Sequence, residues 1–557
     1  MNASARETVW RRHDVVDAIL KFCSINDVSA CAQVSKFVHT RAIKYLYRDI
    51  NGLEDILHLL APMSGSKERW FIHPLMPSNW EKFIPYAQLV RHIRYDETPS
   101  SCYAPIDDDS FNEIAVTCPE RPIFPVLESA HFSWNTHEGS SRARYSLMFL
   151  NKKLKTLSLA SDYGLEYVLR SIPRASPRLE WVKVTCPGVS DSETRSELVA
   201  MIDGLSHLQS LTLSTPLFST EIISSLSRHS KLVSLCQYSE TTTQEQGDDY
   251  TRDLKISDSA FKSLRDLRLD IHLDAIARWF PSANVMPSLV TLHLELRATE
   301  AQSAIKDCFA LLAKAIPHVV ELKFDLYKHA SSTLTRASDI SLDTFEPLLT
   351  RMAPSTFSFD HPAPLPLTDS DVEKMAIAWP SLKNLSLGHS SAAGDTKCVL
   401  TLNVLSSLAR HCPNLQTLHL NINLCFSPYR HRLPAEVPDD VPFSRSFVRL
   451  NLGYSLIQDT QSLAWFLSCI LPESSELNRW PEIIKKSDRD AKPQWFSDAR
   501  ERRWIELLSW FEAYSKSRNR QDSRMKRALD AALSELNEVK RENAKLRLKI
   551  DRLRKAN

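Results

Sequence analysis

Glycine is scarce in this chain. Its 557 residues include ten, and the closest two, Gly388 and Gly394, stand six positions apart. The G-x-G-x-x-G and Walker-type phosphate loops and the G-x-S-x-G nucleophile elbow all need closer glycines, so all three are excluded. H-E-x-x-H is absent too. Eleven cysteines are scattered with no C-x-x-C pair. That fits a reducing cytoplasm or nucleus, where thiols act as small core hydrophobes. Long apolar runs are missing: nothing approaches the roughly 18–20 residues that span a bilayer. The opening MNASARETVWRRHD also has no apolar core of a secretory signal. Excess charge of either sign is lacking, since the formal net charge is +2. The whole chain is therefore not an electrostatic nucleic-acid binder. His and Asp form no recognisable constellation, so the expectation is a protein that is not an enzyme and holds no cofactor, no metal, no nucleic acid and no membrane.

What the chain has is leucine in a repeating pattern. At 557 residues and 43% hydrophobic, it exceeds one compact core and must hold several domains or a repeat array. The template L-x-x-L-x-L, with any large apolar residue allowed, recurs from Val90 to Leu452. Leu154–Leu157–Leu159, Leu208–Leu211–Leu213 and Leu415–Leu418–Leu420 are clear copies, with starts 24 to 37 residues apart. The last three positions alternate as a short strand must. Between copies the period becomes helical, as in Leu402, Leu405, Leu408 and Ala409, and a proline then punctuates (Pro177, Pro287, Pro317, Pro380, Pro413). Each unit buries one face and must stack on its neighbours. The fold predicted is an α/β leucine-rich repeat solenoid, parallel strands inside and helices outside, over 85–470, with a helical cap over 471–520. The competing reading is one large ordinary α/β domain. The asparagine of regular leucine-rich repeats is mostly missing; only Asn423 stands where it is expected.

The residue between the last two template positions should point to the open, concave strand face. These residues are Ser158, Lys183, Thr212, Arg268, His293, Lys323, Ser386, His419 and Asn451. All are polar and basic types recur, so this face is the expected target-binding surface, favouring acidic partners. Rim loops such as 239–251 are the alternative binding site.

Residues 12–60 read as a small helical module. Val15, Ile19, Leu20 and Cys23 sit near helical spacing. A second helix should follow a cap at Asn26 or Asp27 and bring Val28, Cys31, Val34 and Val38 to one face. A third, from Thr40, should place Ala42, Leu46 and Ile50 together. With Val16, Ile19, Leu20 and Phe22, then Val34-Ser35-Lys36-Phe37, then Ala42 and Leu46-Tyr47-Arg48, the module resembles an F-box. It is most similar to F-box-like proteins of mushroom-forming fungi that carry irregular leucine-rich repeats behind it. The resemblance implies a substrate-recognition adaptor of a cullin-type (SCF) ubiquitin ligase. A Skp-type adaptor protein would dock at Val16, Ile19, Leu20, Val34 and Phe37, and the repeats would hold an unidentified target. Arg12-His13 stand where the family has Leu-Pro. A repeat scaffold with no role in ubiquitination is the other reading.

From Gln521 to Asn557 the chain carries 11 Lys/Arg against 6 Asp/Glu and no Gly or Pro. A 4-3 spacing puts Leu529, Leu536, Asn543 and Ile550 at a, and Met525, Ala532, Val539, Leu546 and Leu553 at d. The prediction over 521–557 is a coiled coil that pairs two chains as a parallel homodimer, with Asn543 setting register. A single solvated helix, or one docked on its own array, is the alternative.

Overall fold

The structure is a computed structural model that describes residues 12–98, 101–134, 142–186, 192–238, 254, 256–257, 260–282, 286–296, 302–326, 340–361, 365–388, 399–424, 442–453, 455, 457–478 and 502–518. The chain divides into two units. One covers Met1–Ala298, Lys314–His318 and His329–Ser331; the other covers Thr299–Ala313, Val319–Lys328 and Ser332–Asn557.

The first unit opens with three short helices: α1 (His13–Leu20), α2 (Ile25–Ala32) and α3 (Lys36–Leu46). Their boundaries follow serine caps that the hydrophobic period does not reveal. Ser24, rather than Asn26 or Asp27, caps α2. Its hydroxyl accepts from the Asp27 N–H at 3.3 Å while the Asp27 carboxylate accepts from the Ser24 N–H at 3.3 Å. The Ser35 hydroxyl accepts from the Val38 N–H at 3.3 Å, so α3 begins before Thr40 and takes Val38 from the second helix. Val16, Leu20, Val28, Val38 and Ala42 then close a small core of their own, with Phe37, Tyr45 and Leu46 packed against it. Ile50 leaves the helix. It lies on β1 (Asp49–Ile50), so the sheet starts inside the segment expected to be all helical.

After a small antiparallel hairpin, β2 (Met63–Ser64) with β3 (Trp70–Phe71), the strands follow the template. They are β4 (His92–Asp96), β5 (Ser129–Ser133), β6 (Thr156–Ala160), β7 (Trp181–Thr185), β8 (Ser210–Ser214), β9 (Ser234–Tyr238), β10 (Asp266–Ile271) and β11 (Thr291–Leu296). β1 pairs with β4, and each later strand pairs in parallel with the one before it. The template leucines Leu154, Leu157, Leu159, Leu208, Leu211 and Leu213 are all fully buried. Parallel strands in sequence order, returned by helices such as Leu165–Ala175, Ser192–Gly204 and Thr220–Ser227, are a leucine-rich repeat solenoid.

One backbone device recurs where each strand begins: two successive N–H groups donate to a single carbonyl of the repeat before. Lys155 and Thr156 share Glu128 O, Glu180 and Trp181 share Lys155 O, and Gln209 and Ser210 share Glu180 O, all at 2.8–3.1 Å. The missing asparagine is replaced by other polar groups at the ends of the strands. Gln237 Oε1 accepts from the Asp270 N–H at 3.0 Å, Gln237 Nε2 donates to Thr215 Oγ1 at 3.4 Å, and Thr215 Oγ1 donates to Asp270 Oδ2 at 3.2 Å. Ser214 Oγ accepts from the Cys186 N–H at 2.9 Å and donates to the Cys186 carbonyl at 3.1 Å. These bonds satisfy backbone groups that burial would otherwise strand.

The second unit repeats the scheme with β12 (Glu321–Leu326), β13 (Thr356–Asp360), β14 (Asn384–Leu387), β15 (Thr417–Leu420), β16 (Arg449–Asn451) and β17 (Glu476–Asn478), each parallel to the next. β17 lies inside the segment expected to be a helical cap, so the strands run further than the template showed. Here aromatics fill the core: Phe345 meets Phe357 and Phe359 edge-on, Phe357 packs on Trp379, and Trp379 Nε1 donates to the Met352 carbonyl at 3.0 Å. Asn421 supplies an asparagine bridge, its Nδ2 donating to the Gly388 carbonyl at 2.8 Å. A helix over 502–518 closes this unit, burying Trp504, Leu507 and Phe511. Arg503 Nη1 donates to the Ile457 carbonyl at 2.6 Å. Arg518 Nη1 donates to the Ser468 and Cys469 carbonyls at 2.5 and 2.7 Å, at the end of the helix Thr460–Ile470. Among the described residues no helix is long and apolar enough to cross a membrane.

Candidate functional site

The described sequence-predicted site residues lie on the helical module of the first unit and on the strand faces of the two units. On the helical module, Val16 and Leu20 turn inward and form its core, so they do not lie on its exposed surface. Phe37 is half-buried, its ring against His13 at 4.8 Å between centroids. The apolar side chains that do face outward are Phe22 (87% exposed), Val34 (73%), Ile25 (59%) and Ile19 (39%). Phe22 and Ile25 were not among the expected contact residues. Their signal is apolar character off the buried stripes of α1 and α2. The arrangement is held from inside: Tyr45 Oη donates to the Asp17 carbonyl at 3.1 Å, and Arg41 Nη1 reaches Asp17 Oδ2 at 3.4 Å. The Arg12-His13 pair is also engaged within the module. Arg12 pairs with Asp14 at 2.7 Å, and His13 Nδ1 accepts from Arg41 Nε at 2.9 Å.

The second surface is the strand face. Register aligns its outward positions into a column: Arg94, His131, Ser158, Lys183, Thr212, Cys236, Arg268 and His293. Arg94, His131 and Cys236 come from the weaker template copies, whose middle positions the sequence shows once those copies are counted. In the second unit the column is Lys323, Ser358, Ser386, His419 and Asn451. Most of these side chains are half-buried, while Ser158 and Asn451 are buried. Asn451 has an internal task, its Oδ1 accepting from the Gly453 N–H at 2.8 Å. Arg268 is similarly engaged: its Nε donates to Glu295 Oε1 at 2.6 Å, and Nη2 donates to the same oxygen. Glu295 is buried, and that burial holds its carboxyl above the usual range despite Arg268 beside it. Burial, with Arg94 and Lys183 nearby, pushes the His131 imidazole below its usual value against the opposing pull of Asp96.

These faces offer apolar contact on the module, and hydrogen-bonding groups and positive charge on the strands. Nine described cysteines are free thiols. Burial pushes the Cys412 thiol up to about 11, which keeps it protonated as a core group at neutral pH. The heptad residues Leu529, Leu536, Val539, Asn543, Leu546, Ile550 and Leu553 lie outside the described residues.

No protein-family model matches this sequence, and no curated protein matches it. Among solved structures, the chain is similar to one from the yeast Rad7 and Elc1 complex, with TM-score 0.39 and 17% identity over 72% of this chain and 92% of that one. It is also similar to one from the TLR13–ssRNA13 complex, with TM-score 0.28 and 14% identity over 68% and 61%. A third is from the Drosophila Toll–Spatzle complex, with TM-score 0.28 and 13% identity over 66% and 59%.

Proposed function

We propose that this chain is a non-catalytic substrate-recognition adaptor of a cullin-type (SCF) ubiquitin ligase. Its F-box-like module docks a Skp-type adaptor protein, its repeats hold a target protein, and other subunits perform the chemistry. The observation that carries the reading is the outward set Phe22, Ile25, Val34 and Ile19 on a module whose own core is complete without them. A large apolar side chain gains roughly 2 kcal/mol when a partner buries it, and four such groups on one small module favour a protein interface. Co-expression with a Skp-type adaptor tests this directly. The wild type should co-purify with it. Phe22→Asp/Val34→Asp should abolish capture while the repeats stay folded, because a carboxylate would be buried there without a partner. Failure of the wild type to bind, or full capture by the double variant, defeats the proposal.

A second reading is favoured by one feature. Arg12 and His13 occupy the positions of the family's Leu-Pro and spend their side chains on Asp14, Phe37 and Arg41. On this reading the chain is a repeat scaffold whose N-terminal module caps the first unit, with no role in ubiquitination. Leucine and proline at 12 and 13 would then create adaptor binding that the wild type lacks.

A further inference from the structure

The column of outward residues on the first unit is not uniformly available to a partner. Arg94 lies 3.5 Å from Asp96, and Arg268 is held by Glu295. Asp270, level with Glu295 in the register, accepts from the Thr215 hydroxyl. The positive charges at the ends of the column thus already have carboxylates. Lys183, between them on β7, has none among the described residues. Its Nζ sits 4.5 Å from the centre of the Tyr238 ring. An aromatic face holds an ammonium in place without neutralising it. His131 is two strands away through Ser158, about 10 Å at the usual strand spacing. Trp181, half-exposed, precedes Lys183 by two residues on the same face of β7. The middle of this face therefore offers one uncompensated ammonium positioned by an aromatic ring, a half-buried imidazole and an indole beside them.

We propose that the face centred on Lys183, Tyr238, His131 and Trp181 is the target-binding site, and that it takes an extended anionic segment of a protein with an apolar residue next to the acid. The inference rests on the reading of the repeats as a target-holding surface. The anionic group is a glutamate or aspartate carboxylate, or the phosphate of a modified serine. The column supplies the ammonium and hydroxyl donors that either needs, and Trp181 supplies apolar contact. Charge complementarity here fixes which partner docks and how quickly.

The test uses the full chain and labelled peptides of about twelve residues, long enough to cross several strands. Three alternate leucine with glutamate, with phosphoserine or with glutamine; binding is read by fluorescence anisotropy. At least one anionic peptide should bind about tenfold more tightly than the glutamine peptide. Lys183→Glu should weaken it at least about tenfold, and Lys183→Gln should weaken it less. Lys152→Glu, the same charge change in an exposed turn outside the strands, should alter it less than about twofold. Preference for glutamate identifies an acidic segment, and preference for phosphoserine a phosphorylated one; both support the site. Equal binding by Lys183→Glu, equal loss in Lys152→Glu, equal affinity for the glutamine peptide, or no binding at all overturns it. Should Lys183→Glu lower the melting temperature, Lys183→Gln together with Trp181→Ala decides in its place. Adaptor capture by Lys183→Glu reports on the module alone. A chain that captures the adaptor but no anionic peptide removes this inference and leaves the proposed function standing.

Discussion

Replacing Arg268 by methionine should destabilise β10 and β11, and the loss should depend on pH. Glu295 is buried, with 4% of its side chain exposed, and two N–H groups of Arg268 converge on one of its oxygens. Removing one partner of a fully buried pair costs about 3–5 kcal/mol, because a charge is left without compensation. Arg268 is 41% exposed, so water reaches the vacated side, and we expect about 2 kcal/mol. Removing both charges as Arg268→Met/Glu295→Leu should recover most of that loss. The pH dependence follows from the direction of the shift. The carboxyl of Glu295 is held above its ordinary value by burial, with Arg268 opposing. The folded state therefore favours the protonated acid. Its contribution to stability is present below the unfolded value and is lost as pH rises through the raised one. Without Arg268 the carboxyl rises further. The cost of Arg268→Met should thus be small near pH 4, where Glu295 is neutral, and largest near pH 8. Hydrogen exchange of the β10 and β11 amides, measured across that range, reports the local opening energy without requiring two-state unfolding. A cost under about 0.5 kcal/mol near pH 8, or one that is flat with pH, refutes the reasoning. The result also bears on function: a charge reversal at Arg268, which leaves buried Glu295 without its partner, would confound any target-binding assay through folding.

Three further outcomes are expected. Ser24→Ala should lower the stability of the helical module by about 1 kcal/mol, read as faster exchange of the α2 amides, with the repeats unchanged. Gln237→Leu should cost about 2–3 kcal/mol in the thermal or urea unfolding of the first unit, because the Asp270 N–H loses its buried acceptor. A cost near zero would mean that water replaces the glutamine. Arg518→Met should release the last carbonyls of the helix Thr460–Ile470 and lower protection there by about 1 kcal/mol.

The repeat was legible because its leucines answer to one constraint, burial on alternate positions of a short strand. Leu157 and Leu159, Val182 and Val184, and Leu211 and Leu213 all fall where the template puts them. What stayed hidden depends on polar atoms rather than period. Ser24 and Ser35 set the helix boundaries through single hydroxyl contacts, and an exposed serine looks the same in sequence whether or not it caps. Gln237 and Asn421 carry inter-repeat bonds of the kind expected of Asn423. Such bonds require only an acceptor or donor within reach, which several residue types supply. The site residues divided in the same way. The strand column was readable from alternation, including that Lys183 faces outward. That Glu295 engages Arg268 and Tyr238 holds Lys183 followed from repeats one and two strands away, 27 and 55 residues along the chain. On the module, burial of Val16 and Leu20 was a matter of which helical face meets α3, and a stripe of apolar residues on both sides of α1 did not distinguish the two.

The module and the strand face belong to one unit, and their attachment has mechanical consequences. α3 ends at Leu46 and β1 begins at Asp49, so only Tyr47 and Arg48 lie between them. The Arg48 carbonyl accepts from both the Arg91 and His92 N–H groups, at 2.9 and 3.0 Å, and Tyr47 packs edge-on against Tyr86 at 4.9 Å. The chain therefore passes from helix to sheet through residues whose backbone groups are already bound. A flexible joint needs backbone groups free to rotate and exchange with water, and this one has few. A partner held at Phe22 and a segment held at Lys183 would be kept at a set separation by ordered backbone, with no tether to average it. Flexible tethering raises the effective concentration of two bound groups over many geometries, while rigid attachment selects one. For an adaptor of the proposed kind, that selection would be the contribution of the fold: it would determine which atoms of a captured target another subunit can reach.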